Sequence, residues 1–148
     1  MKAVQLFLMF VLVLVLGACN NTPPPEDAVA DKLAKDFMQA LQAQDYETLY
    51  SLVNDEFFSV KGRSEWDKYF QDVSGIMGKM ESFRLKNKLN DMRFSGQFYM
   101  YEYVTKYENG LGKEMITIIH KINTGNEPLR IFSYKMDSSK LAKLHQTR

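Results

Sequence analysis

Tyr99-Met100-Tyr101-Glu102-Tyr103-Val104-Thr105-Lys106-Tyr107-Glu108-Asn109-Gly110 decides the fold. Side chains alternate along a strand, so Tyr99, Tyr101, Tyr103 and Tyr107 share one face and Met100, Glu102, Val104 and Lys106 take the other. Two charges on the second face put it in water and turn the tyrosines toward a core. Asn109-Gly110 is the strongest hairpin signal in the chain. Working outward, residues 93–107 read as a long strand, 113–122 as its partner, and 129–136 as the last strand after a turn at 123–126 that contains Gly125. Upstream, residues 80–89 alternate with Phe83, Leu85 and Leu89 on one side, and Asn90-Asp91 reads as the turn into the tyrosine strand. Sequential strands with short turns make an antiparallel meander.

Before residue 78 the period is 3.6 instead of 2. Val29, Leu33, Phe37 and Leu41, with Ala30, Ala34 and Met38 beside them, predict a helix over 28–44 with Asp27 as N-cap. Asp45 is the N-cap expected for a second, shorter helix carrying Tyr46, Leu49, Tyr50 and Val53. Residues 56–60 read as a short extended piece that adds Phe57 and Phe58 to the core. Ser64, with Asp67 as capping-box partner, opens a third helix; its stripe is Trp66, Tyr69, Phe70, Val73, Ile76 and Met77, and Gly78 stops it. Three helices followed by a curved four-stranded antiparallel sheet is an α+β layout, the helical stripes covering one face of the sheet.

The element order, with Ala40-Leu41 through Asp45-Tyr46, Glu65-Trp66 with Met77-Gly78, Tyr101-Glu102-Tyr103 to Tyr107-Glu108-Asn109, and Leu129-Arg130-Ile131 to Tyr134, resembles the cystatin-like cone shared with nuclear transport factor two. More narrowly it resembles a bacterial domain of unknown function built on that cone. The resemblance spans residues 28–136 and departs at Leu129, where a tryptophan is expected. Its motifs are packing motifs, so it implies a fold rather than an activity.

The N-terminus sets the location. Met1-Lys2 is a short positive start, and residues 6–16 are unbroken apolar sequence. Eleven helical residues reach about 16 Å, too short for a bilayer core of roughly 30 Å, so the segment reads as a signal peptide over 1–18. Leu16-Gly17-Ala18-Cys19 resembles the bacterial lipoprotein box. That resemblance implies cleavage after Ala18, a thioether diacylglycerol on Cys19 and an acyl group, such as palmitate, on the new amino end. Residues 19–27, with Pro23-Pro24-Pro25, read as an extended tether. Residues 28–137 form one domain and 138–148 a polar, basic tail. Asn20 follows the cysteine where an aspartate would resemble an inner-membrane retention signal. In a Gram-negative cell the expected location is therefore the outer membrane, facing the periplasm, with the inner membrane as the alternative.

Composition excludes several functions. Removing residues 1–18 takes away one basic side chain, Lys2, and no acidic one, leaving 18 of each. A balanced chain is a poor nucleic-acid binder, which needs a basic face. Cys19 is the only cysteine, so lipidation leaves no thiol for a disulfide or a nucleophile. His120 and His145 are the only histidines, and no metal site or cofactor is expected.

Candidate chemistry is sparse. Tyr99, Tyr101 and Tyr103 with His120 are the residues that would line a cavity for a small hydrophobic ligand, His120 as base and the tyrosines as donors. The same tyrosines suit a plain aromatic core. His120 shares its strand face with Ile116, Ile118 and Ile122. Glu114 lies on that face too, but six residues away is about 20 Å, too far for a dyad. No carboxylate is identified facing the inside of the cone, which lowers the case for an isomerase or lyase. Phe57-Phe58 and the Trp66 stripe read as core packing, with a partner surface as the alternative. The expectation is a membrane-anchored, non-catalytic envelope domain that binds another envelope component or itself, with a small-ligand binder or cone-cavity enzyme as the alternative. The outer sheet face, with Met100 and Val104, is the candidate dimer surface.

Overall fold

The computed structural model describes residues 25–121 and 127–146. The signal peptide, Cys19, the 123–126 turn and the last two residues lie outside the described residues. The described chain is α+β: a four-stranded antiparallel open sheet with five helices. The order is α1 (Pro25–Ala43), α2 (Tyr46–Ser51), α3 (Phe57–Val60), α4 (Arg63–Met77), β1 (Met80–Arg93), β2 (Gly96–Tyr107), β3 (Gly110–Lys121), β4 (Ile131–Asp137) and α5 (Ser139–Gln146).

The expected count of three helices is corrected to four before the sheet and one after it. The extra helix before the sheet is α3, where an extended piece was expected. Asn54 Oδ1 accepts the Phe57 N–H at 3.0 Å, and Phe57, Phe58 and Ser59 N–H groups donate to carbonyls three residues back. These local bonds turn an apolar pair into a helical turn. The helix after the sheet is α5, inside the expected tail; Ser138 Oγ accepts the Leu141 N–H at 3.1 Å and starts it.

Helix α1 begins at Pro25, inside the expected tether, because a proline ring already holds a helical φ and lacks the N–H that a first turn leaves unpaired. Asp27 is therefore in the helix rather than its cap. The buried stripe is Ala30, Leu33, Ala34, Phe37, Met38 and Leu41; Val29 falls off it and is 53% exposed. Gln44, at φ 57°, reverses the chain in the left-handed region. Asp45 then caps α2, its carboxylate accepting the Thr48 N–H at 3.1 Å. Helix α4 starts one residue earlier than the Ser64 expectation. Glu65, not Asp67, accepts the Gly62 N–H, at 2.9 Å, and Asp67 instead accepts the Tyr50 hydroxyl at 2.7 Å. Gly78 ends α4 at φ 75°.

The sheet order is β1-β2-β3-β4, the expected meander. The Asn90-Asp91 turn is corrected: β1 stays paired through Arg93↔Gly96, and the loop is Phe94-Ser95. Gly96, at φ 147°, supplies the conformation this turn needs, and a Cβ there would sit 2.2 Å from the His120 carbonyl oxygen. Asn90 stays in the strand opposite Tyr99. Bulges in β1 and near Thr117/Ile118 add twist to the sheet. The end of α2 is stitched to β4: Asn54 N–H donates to the Ile131 carbonyl and Ile131 N–H to the Leu52 carbonyl, both at 3.0 Å.

The core lies between the helices and one sheet face. Tyr99, Tyr101, Tyr103 and Tyr107 are all buried there, with Ile116, Ile118, Tyr134 and Met136. The alternate residues Met100, Glu102 and Val104 are half-buried on the other face, and Lys106 is exposed.

Candidate functional site

The most unusual side chain in the interior is Glu114, on β3, which is fully buried. Strand alternation puts it on the same inward face as Ile116 and Ile118. It sits opposite Tyr103 on β2 and Met136 on β4. Its Oε1 accepts the Tyr107 hydroxyl at 2.7 Å and the Thr105 hydroxyl at 3.2 Å, and its Oε2 accepts the Tyr134 hydroxyl at 2.5 Å. Gly112, two residues before it on the same face, makes the room. A Cβ there would stand 2.7 Å from Thr105 Oγ1 and 3.1 Å from the Tyr107 ring.

Burial raises the Glu114 pKa, and the Tyr134, Tyr107 and Thr105 hydroxyls pull part of the way back. The reciprocal effect runs through the tyrosines. Burial, then the Glu114 charge, pushes Tyr69 up to about 12. Tyr107 and Tyr134 are raised for the same two reasons in the same order. Both carboxylate oxygens are engaged, and every buried side-chain nitrogen and oxygen among the described residues has a partner. The group holds three hydroxyls in place across β2, β3 and β4. With no part of it exposed, it is closed off from an incoming molecule.

The expectation that no carboxylate faces the interior is thus corrected. The signal was present in the sequence: the period-2 pattern that turns Ile116 and Ile118 inward turns Glu114 inward as well. What the one-dimensional pattern could not show is that Tyr107 and Tyr134, on the neighbouring strands, end their side chains at that carboxyl.

The four sequence candidates fall in different surroundings. Tyr99 is buried opposite Ile118. Tyr101 donates to Asp31 Oδ1 at 2.8 Å, tying β2 to α1, and burial followed by that hydrogen bond raises its pKa. Tyr103 meets Phe83 edge-on at 5.8 Å, and burial, then the charge of Asp31, pushes its pKa up to about 12. His120 is half-buried near the end of β3, opposite Gln97, on a cleft of about 80 Å³ shared with Asn54 and residues 127–130. The three tyrosines are brought together along one strand face; His120 and Glu114 sit six residues apart along β3.

A larger cleft, about 460 Å³, opens between α4, β4 and α5. Tyr69, Val73, Ile76, Met136, Leu141 and Ala142 form its apolar walls, and Asp72, Lys135, Asp137 and Ser138 its polar edge. None of the four sequence candidates lines it. Among the described residues no three His, Cys, Asp or Glu side chains group as metal ligands.

No family model and no curated protein matches the chain. The solved structures that share its fold include two bacterial proteins. Bd1075 of Bdellovibrio bacteriovorus superposes with a TM-score of 0.52 at 10% identity, over 74% of this chain and 40% of its own. Aln2 of a Streptomyces species superposes with a TM-score of 0.52 at 10% identity, over 85% of this chain and 99% of its own. The chain therefore spans less than half of Bd1075 and nearly all of Aln2. At this identity the likeness concerns the α+β sheet fold alone.

Proposed function

We propose that this chain is a bacterial envelope lipoprotein, cleaved after Ala18, acylated on Cys19 and facing the periplasm from the outer membrane. Its cystatin-like, cone-shaped domain is non-catalytic and binds another envelope component or a second copy of itself. The observation that carries the non-catalytic reading is the closure around Glu114: the one carboxylate buried in the core of the described residues has both oxygens filled by hydroxyls of its own fold. The anchor rests on Leu16-Gly17-Ala18-Cys19 immediately after the apolar run. Among the described residues no helix is long and apolar enough to cross a membrane.

Cys19→Ala tests the anchor. The variant is expected to leave the detergent-extracted membrane fraction and appear in the soluble fraction with the circular dichroism and melting profile of the wild type. A variant exported and freed of its signal that still sediments with membranes overturns it.

The 460 Å³ cleft favours a second reading, a binder of small hydrophobic ligands, because its volume and apolar walls suit one. A dansylated acyl chain would then brighten in the wild type and lose at least tenfold in affinity in Ala142→Trp, which fills the cleft from its exposed side. Equal dye binding by both proteins removes this reading.

A further inference from the structure

The β1–β2 hairpin tip and the start of α1 lie at the same end of the domain. The hairpin closes in a two-residue loop between Arg93 and Gly96, and Phe94 at its tip is fully exposed. Met92 beside it is 67% exposed. An isolated exposed apolar residue needs no explanation; the setting of this pair does. Asn90, just below the tip, donates to Asp27 Oδ1 in the first turns of α1 at 2.9 Å, and Lys88 pairs with Asp31 at 2.6 Å. Helix α1 starts at Pro25, six residues after Cys19. Six extended residues span at most about 21 Å. If Cys19 carries the proposed acyl chains, the start of α1 lies within about that distance of the bilayer surface. Arg93, whose guanidinium lies 4.7 Å over the Phe98 ring, sits at the base of the tip beside Phe94.

We propose that the β1–β2 hairpin tip inserts Phe94 and Met92 into the interface of the bilayer that holds the Cys19 acyl chains, giving the domain one orientation on the membrane. The occupant is the lipid interface, because the short segment between the proposed acyl chains and the domain joins α1 at Pro25, whose first turns lie against Asn90 below this tip. The local charges, Arg93 paired with Asp91 at 2.7 Å, make no basic patch, so insertion is apolar and does not require anionic lipid. The opposite end of the sheet, about 36 Å away along β2, carries Leu111 and the 460 Å³ cleft, and faces the aqueous compartment. This docking rests on the lipid anchor proposed above.

The test uses the full processed chain, extracted from envelopes and reconstituted into phosphatidylcholine vesicles with brominated acyl chains, which quench nearby tryptophan. Wild type reports from Trp66 in the core, Phe94→Trp adds a reporter at the tip, and Leu111→Trp adds one at the far end, where the native residue is 66% exposed. Phe94→Trp is expected to be quenched at least twofold more than wild type, and Leu111→Trp no more than wild type. Equal quenching of the two variants overturns the docking, as does a Phe94→Trp emission that is blue-shifted but unquenched, which would mean that protein covers the tip. The mass of the Cys19 peptide from the same sample separates the two proposals. An unmodified Cys19 overturns the anchor and the docking with it. A diacylglyceryl Cys19 with an unquenched tip overturns the docking alone.

Discussion

Glu114→Leu lowers the unfolding free energy by about 3–5 kcal/mol, read as a shift of the denaturant midpoint at constant slope. The leucine keeps most of the volume but accepts no hydrogen bond. The hydroxyls of Tyr107 and Tyr134 then lose their acceptor in a site that water does not reach. Each buried donor left without a partner costs about 1–3 kcal/mol. Adding Tyr107→Phe and Tyr134→Phe to Glu114→Leu should recover part of the loss, because no orphaned tyrosyl hydroxyl then remains. A single Glu114→Leu cost below about 1 kcal/mol, or a triple variant weaker than the single one by the sum of its parts, would sink the network as a structural element.

The same residue sets a pH dependence. Burial holds the folded-state pKa of Glu114 above that of the unfolded chain, where a glutamate titrates near 4.3. Below that value both states are protonated and the stability contributed by the neutral acid is complete. As pH rises past it the unfolded chain releases its proton first, so stability falls until the folded-state value is passed. Glu114→Gln cannot titrate. The stability of wild type relative to Glu114→Gln should therefore be highest in acid and decline above about pH 4. A relative stability that rises with pH would reverse the assigned direction.

Trp66→Ala is the second large effect, about 3–5 kcal/mol, with a fall in melting temperature of about 10–20 °C. The indole is nearly buried, stacks on Phe57 with ring centres 4.6 Å apart and on Phe70 at 5.6 Å, and meets Tyr69 edge-on at 5.4 Å. Its N–H donates to the Phe57 carbonyl at 3.3 Å. Helix α3 is four residues long and depends on this contact for its place against α4. Val60→Ala, on the same helix at an 85% exposed position, serves as the control and should stay within about 0.5 kcal/mol of wild type. Equal effects of the two would show that α3 is held elsewhere.

Much of the fold was legible because it rests on short periods. The alternation from Tyr99 to Tyr107 turned four tyrosines inward, and Asn109-Gly110 marked a real reversal, with β2 and β3 pairing up to Tyr107↔Gly110. Asp45 and Gly78 bounded their helices as their side-chain chemistry demands. The misreadings fell where a local signal had a competitor. Asn90-Asp91 has turn residues, yet Gly96 takes a positive φ immediately after Phe94-Ser95, and the turn formed there, further along the chain. Residues 57–60 are apolar like a strand, yet Asn54 could cap them into a helix.

The sequence by itself determined the α+β layout of helices followed by a sheet, the antiparallel meander and the inward face of β2, because each follows from how side chains repeat along one element. Only the tertiary structure decided that Glu114, Tyr107, Tyr134 and Thr105 meet, and that the β1–β2 hairpin stands beside the start of α1. Those juxtapositions depend on the register between strands and on how α1 lies across the sheet, and both are set by packing between residues far apart in the chain.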